Sequence, residues 1–165
     1  MANPVLFASS LFLAFVHLAL ILAQQPLPRL FSFTVLCGTF SSIWNHGTTS
    51  EIAKWTDRSM MAVGAVVDFA YLSSVPMEMR PLLCGLIVCA ILGYFGAKFL
   101  VVRAPPPTGK AGKAGLKGGD ASPAGNAPHL VAHVLLSLTH FIMTYQLSRH
   151  CAEPSSASSA GLFCW

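Results

Sequence analysis

This sequence contains very little charge. Only 10% of its 165 residues are Asp, Glu, Lys or Arg, whereas a typical soluble domain has about 25%. Apolar residues make up 54% of the chain, and the mean hydropathy is +0.62. Because a soluble fold of this size cannot bury so much apolar surface, the composition argues against that class. It predicts an all-α integral membrane protein that forms one domain.

Two further features are missing from the chain. No Lys or Arg precedes the first apolar run, so that run is a poor match to a cleavable signal peptide. No Cys-x-x-Cys pair occurs among the five cysteines. Cys37, Cys84 and Cys89 fall within apolar segments and are predicted to be small buried core residues. Cys151 and Cys164 lie in a polar tail, where we expect them to pair if that tail faces an oxidising compartment.

Five apolar segments predict a bundle of about five transmembrane helices, since about 20 apolar residues cross a bilayer. The segments are residues 5–23, 30–46, 57–72, 81–102 and 129–147. The first four spans thus occupy residues 1–102. A Pro/Gly/Lys-rich stretch at 103–127 reads as a flexible linker, 128–148 holds the last span, and 149–165 is a polar tail. Other membrane helices are possible packing partners for such a bundle.

The basic residues predict how the bundle is oriented. The net charge of +4 comes mostly from one loop, and we interpret it as a topology signal, with no nucleic-acid partner. Lysines of the 103–127 linker and two basic residues near the second loop, Lys54 and Arg58, fall on the same side of the predicted membrane. Excess Lys and Arg mark the cytoplasmic side. The N-terminus and the linker are therefore predicted to be cytoplasmic, and the tail to lie outside or in a lumen; the organelle stays open.

Five polar residues stand at the ends of the predicted spans. Ser42 and His46 are four residues apart at the end of the second span, and Asp57 follows eleven residues after His46. His129 and His133 repeat the four-residue spacing at the start of the last span. Residues four apart share one face of a helix. Because successive spans alternate in direction, all five side chains are predicted to lie at one level of the membrane.

Three histidines with this spacing are typical of a metal site. Two histidines one helical turn apart, with a third from another helix, supply three nitrogen ligands and leave the fourth position of Zn²⁺ for water. Zinc lowers the pKa of such a water to about 7. We expect His46, His129 and His133 to be the ligands. Asp57 would take a proton from the water or orient a ligand, and Ser42 would hydrogen-bond to the water or the oxyanion.

At these residues the sequence resembles the CREST superfamily, which includes alkaline ceramidases, progestin and adipoQ receptors and GPI-lipid remodelling factors. The shared pattern is Ser-x-x-x-His on the second span, Asp eleven residues later and His-x-x-x-His on the last span, here Ser42, His46, Asp57, His129 and His133. The resemblance implies a zinc-dependent hydrolase that cleaves an amide or ester bond of a membrane lipid. It covers about a third of the chain. The family has seven spans, and its residue before the first histidine is commonly aromatic, where this chain has an asparagine.

Two other functions fit the same residues. In the first, the chain is a non-catalytic membrane subunit or a receptor-like protein whose polar side chains only pack helices. In the second it is a small transporter, in which Asp68, His17 and His140 form a proton path within the membrane. Neither alternative requires metal, so the zinc content of the purified protein distinguishes the hydrolase from both.

Overall fold

The chain is entirely α-helical in the computed structural model, which describes residues 3–103 and 123–152. Five long helices follow one another: α1 Pro4–Ala23, α2 Arg29–Gly47, α3 Glu51–Tyr71, α4 Arg80–Arg103 and α5 Pro123–Ala152. Two short 3₁₀ turns, Leu72–Ser74 and Met77–Met79, connect α3 to α4. Within the described ranges there is no β-strand. The prediction of an all-α fold is therefore confirmed.

Side-chain caps determine where two of the helices begin. The Asn3 Oδ1 atom accepts a hydrogen bond of 3.1 Å from the backbone N–H of Leu6 at the start of α1. At the start of α3, Ser50 Oγ accepts a bond of 3.3 Å from the backbone N–H of Ala53. Glu51 adds a negative charge to the first turn, which favours a helix start. As a result α3 begins six residues before the predicted span start at Asp57, and the loop predicted at 47–56 shrinks to residues 48–50.

The last helix is longer than the predicted span at 128–148. Helix α5 starts at Pro123 and ends at Ala152, so it includes residues 123–127 of the predicted linker and 149–152 of the predicted tail. Residues 104–122 of the linker and 153–165 of the tail lie outside the described residues.

Three helix ends meet at one end of the bundle. The backbone N–H of Asn3, before α1, donates a hydrogen bond of 3.2 Å to the carbonyl oxygen of His46, in the last turn of α2. The Asn3 side chain also donates from Nδ2 to Oδ1 of Asn126, in the first turn of α5, at 2.8 Å. Helix α1 thus packs between α2 and α5, while α3 packs on α2 and α4 on α5. Helices α3 and α4 hardly contact each other along their lengths, and approach through the 3₁₀ turns.

The apolar core lies toward the opposite end of the bundle. Its most deeply buried members are Phe31, Leu83, Met143 and Leu147, which are each 0% exposed. Apolar side chains also cover the outside of the bundle. Each of the five helices exposes large ones, including Phe15, Phe33, Val66, Leu92 and Phe141. Large apolar side chains exposed on every helix in this way are unusual for a soluble monomer.

Three regions of helix are long and apolar enough to cross a membrane, by length and composition: Pro4–Ala23, Met77–Ala97 and Asn126–Ala152. This is consistent with an integral membrane protein. Among the described residues, α2 and α3 do not reach the same standard. Both carry polar residues of the candidate site described below, and α3 also contains the charged residues Glu51, Lys54 and Arg58.

The cysteines do not all behave as predicted. Cys37 and Cys84 are half-buried and Cys89 is exposed, and all three are free. The prediction that they are buried core residues is wrong, because each keeps accessible surface, and a small apolar thiol is compatible with a partly exposed position in an apolar segment. Cys151 is disulfide-bonded, and Cys164, its predicted partner, lies outside the described residues.

Candidate metal centre

Three histidines converge at the end of the bundle where α1, α2 and α5 meet. His46 lies in the last turn of α2, and His129 and His133 lie one turn apart on α5. One ring nitrogen from each can be chosen so that all three lie within 4.8 Å of one another. His46 and His129 are each only 2% exposed, and His133 is half-buried. The structure thus brings together the three residues that the sequence spacing predicted as ligands.

The donor set and its geometry fit a metal ion. The ring centroids of His129 and His133 are 4.8 Å apart, and those of His46 lie 5.1 Å from His129 and 5.7 Å from His133. In a tetrahedral site, bonds of about 2.0–2.1 Å to one zinc ion place the ligand nitrogens about 3.3–3.4 Å apart. Small side-chain rotations would therefore suffice to bring the three imidazoles to bonding distance. Three neutral imidazoles are also the ligand set of known catalytic zinc sites.

Neighbouring side chains support the histidine rings. The Oγ atom of Ser9, on α1, lies 3.4 Å from Nδ1 of His133. The ring of Tyr94, on α4, packs edge-on against His129 with centroids 5.4 Å apart. Contacts of this kind orient ligand rings in metal sites. Helices α1 and α4, which carry none of the predicted ligands, therefore help to build the centre.

Asp57 lies on α3 and faces the last turns of α2. Its carboxylate is 3% exposed and accepts hydrogen bonds from two side chains of α2. Asn45 Nδ2 donates to Oδ2 at 2.7 Å. Ser41 Oγ shares its one hydrogen between the carbonyl oxygen of Gly38, at 2.8 Å, and Oδ1, at 3.4 Å. Hydrogen bonds to a buried carboxylate hold it in one orientation and stabilise its ionised form.

Ser42 reaches the same space from α2. Its hydroxyl oxygen lies 3.1 Å from Oγ of Ser10 on α1, so the two hydroxyls form a hydrogen bond between the helices. Ser42, Asp57, His129 and His133 all line one cavity. The five predicted site residues are thus at the same end of the bundle, with four of them on the wall of a common space.

The cavity runs between all five helices. It has a volume of about 120 Å³. Its middle is lined mostly by apolar side chains, among them Leu13, Val35, Met61, Ile87 and Leu136. Mostly apolar walls with a few polar groups are typical of small-molecule sites.

A second polar cluster lies at the other end of this cavity. The Nε2 atom of His140 is 3.1 Å from Oδ2 of Asp68, and its Nδ1 atom is 3.2 Å from Nε2 of His17. These residues come from α5, α3 and α1 and also line the cavity. His140 is seven residues beyond His133, about 10 Å along a helix axis. The cavity thus has a polar cluster at each end and an apolar middle.

Several contacts to the predicted site residues come from residues that the sequence reasoning missed. Ser9 and Ser10 on the first span contact His133 and Ser42, and Asn3 links the start of α1 to His46 and to α5. One signal for Ser10 was present: it lies seven residues before His17, so both are on one face of an otherwise apolar helix. Nothing in the sequence indicated which helix this face would contact.

Comparisons with models of protein families, with curated proteins and with solved structures found no match.

Proposed function

We propose that this chain is a zinc-dependent membrane hydrolase that cleaves an amide or ester bond of a lipid. The observation that carries the proposal is the convergence of three imidazoles within 4.8 Å beside a largely apolar cavity. The resemblance of the same residues to the CREST pattern supports the reaction class. His46, His129 and His133 would hold the ion. Zinc bound by three histidines supplies a nucleophile at neutral pH by acidifying a coordinated water.

The remaining polar residues of the centre fit hydrolysis. Asp57, held by Asn45 and Ser41, is an acceptor for a proton from water, as a general base requires. The Ser42 hydroxyl can donate a hydrogen bond to an oxygen that becomes negatively charged in the transition state. The apolar side chains in the middle of the cavity suit an acyl chain.

A lipid substrate also requires a protein that sits in the membrane. We propose that all five helices cross it, including α2 and α3. Phe33 on α2 is 67% exposed and Val66 on α3 is 70% exposed, and such side chains are compatible with lipid on both helices. The polar residues that lower the hydropathy of α2 and α3 include Ser42, Asp57 and Asp68, which line the cavity, so lipid need not solvate them.

Metal analysis of the full chain tests the proposal. Protein purified in lipid nanodiscs without chelator should carry about one equivalent of zinc, and His133→Ala should lose most of it. His150→Ala is the matched control, because His150 lies on the same helix but is exposed and distant from the centre. Wild-type protein that binds no zinc even after incubation with excess ion would contradict the proposal.

Asp57→Asn separates metal binding from hydrolysis. An amide cannot accept a proton from water, so this variant should retain most of the zinc and lose turnover of ceramide or lipid-ester substrates. Loss of zinc together with turnover would instead mean that Asp57 holds the centre together. Zinc binding by the wild type with no turnover of any lipid amide or ester would leave a metal centre and remove the hydrolase assignment.

One alternative has its own supporting observation. The Ser10–Ser42 and Asn3–Asn126 hydrogen bonds join different helices, as expected if polar residues serve mainly to pack a non-catalytic membrane subunit. That function requires no metal. The zinc measurement above therefore decides between it and the hydrolase.

A further inference from the structure

Asp68, His140 and His17 form one continuous chain of hydrogen bonds across α3, α5 and α1. We call these three residues the relay. They are 2%, 7% and 4% exposed, respectively. Asp68 Oδ2 lies 3.1 Å from His140 Nε2, His140 Nδ1 lies 3.2 Å from His17 Nε2, and His17 Nδ1 lies 2.6 Å from the carbonyl oxygen of Leu13. Every ring nitrogen of both histidines thus has a contact.

The direction of the hydrogen bond between His17 and Leu13 is fixed by the carbonyl group. A carbonyl oxygen only accepts, so Nδ1 of His17 must carry a hydrogen. Each of the other two contacts needs one hydrogen between its two heavy atoms. The three contacts together therefore require three protons.

With both histidines neutral and Asp68 ionised, the relay has one proton fewer than its three contacts require. Two neutral imidazoles and an ionised carboxylate carry only two protons, so one contact would bring two lone pairs together. A third proton on Asp68, His140 or His17 satisfies every contact. In each of these three arrangements the net charge of the relay is zero, which is the least costly state for a group buried in a membrane protein.

We propose that the relay is a proton-binding site, which holds this third proton and moves it between Asp68 and His17. Starting from protonated Asp68, the Oδ2–H bond breaks as an Nε2–H bond forms on His140. The Nδ1–H bond of His140 breaks as an Nε2–H bond forms on His17. The products are a carboxylate at Asp68 and an imidazolium at His17. No electrons are gained or lost, and the number of protons is unchanged.

The relay ends at Leu13, because a backbone carbonyl does not pass a proton onward. It is therefore a store that exchanges its proton with molecules in the cavity, which Asp68, His140 and His17 all line. This differs from an unbroken path across the membrane. The site does not depend on the proposed zinc centre, since none of its residues is among the three candidate ligands.

The surroundings of the relay are mostly apolar. Phe31, from α2, packs edge-on against His140 with ring centroids 5.9 Å apart, and Tyr71, from α3, packs against Phe31 at 5.8 Å. Helix α4 lines this cavity with Ile87, Ala90, Ile91 and Tyr94. Tyr71 is thus the titratable side chain that these ring contacts bring near the relay, and a tyrosine hydroxyl is neutral well above pH 7. The other titratable groups that line the same cavity, Asp57, Tyr94, His129 and His133, belong to the end that holds the candidate metal centre.

Spectroscopy of the full chain in lipid bilayers tests the proposal. Protein with ¹⁵N-labelled His and ¹³C-carboxyl-labelled Asp is examined at about pH 8.5, two units above the ordinary pKa of histidine, about 6.5. We expect to detect the third proton in one of two ways. A protonated Asp68 would give a ¹³C-shifted infrared band of a carboxyl group, and a protonated His17 or His140 would give the ¹⁵N signal of an imidazolium. Asp68→Asn should abolish that signal, whereas His150→Gln should leave it unchanged.

The wild-type spectrum decides the matter even if Asp68→Asn fails to fold. An ionised Asp68 together with neutral rings at both His17 and His140 would overturn the proposal. Persistence of the protonated signal in folded Asp68→Asn would also overturn it, since the proton would then belong to another group.

Discussion

The Nδ2 atom of Asn45 donates a hydrogen bond of 2.7 Å to Oδ2 of Asp57. Asn45 directly precedes His46, and Asp57 lies on the next helix, so the bond joins α2 to α3 beside the candidate metal centre. The CREST superfamily, which this sequence resembles, commonly has an aromatic residue where this chain has Asn45. Such a residue cannot donate a hydrogen bond to the carboxylate in the same way unless it is Tyr or Trp. In this chain an amide therefore positions the proposed base.

We expect Asn45→Ala to destabilise the protein. The variant removes a hydrogen bond to a buried carboxylate, which is worth about 1.5–3 kcal/mol, and the midpoint of thermal unfolding in micelles should fall accordingly. Thr49→Ala is the control, because Thr49 is exposed in the neighbouring loop. Equal stability of Asn45→Ala and Thr49→Ala would show that the bond contributes nothing to the folded state.

A close approach between α1 and α2 makes Gly47 sensitive to substitution. A Cβ atom at Gly47 would lie 3.0 Å from Cε2 of the Phe7 ring, whereas one at Gly38, on the same helix, would meet nothing within 4 Å. We expect Gly47→Ala to cost about 1 kcal/mol by displacing the ring. Gly38→Ala should be neutral or stabilise by about 0.4–1 kcal/mol, because it reduces the freedom of the unfolded chain. Unfolding of both variants measures the difference, and a Gly47→Ala variant as stable as Gly38→Ala would show that Phe7 moves freely.

Most of the fold could be predicted because its cause is local. Long apolar runs predicted the five helices, with α1, α2 and α4 within a residue or two of their observed ends. The start of α3 was missed because the run of apolar residues begins only after Asp57, while the helix is started by the polar cap at Ser50 and by Glu51. Helix caps and hydropathy are separate signals, and the starts of α3 that they predict differ by almost two helical turns.

The proximity of the three histidines could be predicted because it follows from spacing and from the alternating direction of the helices. Four-residue spacing placed His129 and His133 on one face, and alternation placed His46 at the same end. The contact of Ser9 with His133 could not be predicted. It depends on α1 packing between α2 and α5, and on the rotation of α1 about its axis, which many weak side-chain contacts determine together.

Ser9 is expected to tune the proposed zinc centre. Its hydroxyl lies 3.4 Å from Nδ1 of His133, and loss of a group that orients a metal-binding histidine typically weakens metal affinity by about 10–100-fold. Competition with a chelating dye should show such a loss for Ser9→Ala. Ser59→Ala is the matched control, because Ser59 is exposed on α3. Unchanged affinity in Ser9→Ala would mean that packing alone holds His133 in place.

The last prediction concerns orientation in the membrane. Helix α1 begins where α2 ends and α5 begins, and α4, which is followed by the linker, precedes α5 along the chain. If all five helices cross, the linker at 103–127 and the metal centre are on the same side. Because Lys and Arg are concentrated in that linker, the side should be cytoplasmic.

Single cysteines at Lys113 and at Ser73, in the turn after α3, test this in sealed vesicles of known orientation. An impermeant thiol reagent should reach position 113 only from the cytoplasmic side and position 73 only from the other. Labelling of position 113 from the lumenal side alone would reverse the orientation, and labelling of both positions from one side would show that α4 does not cross.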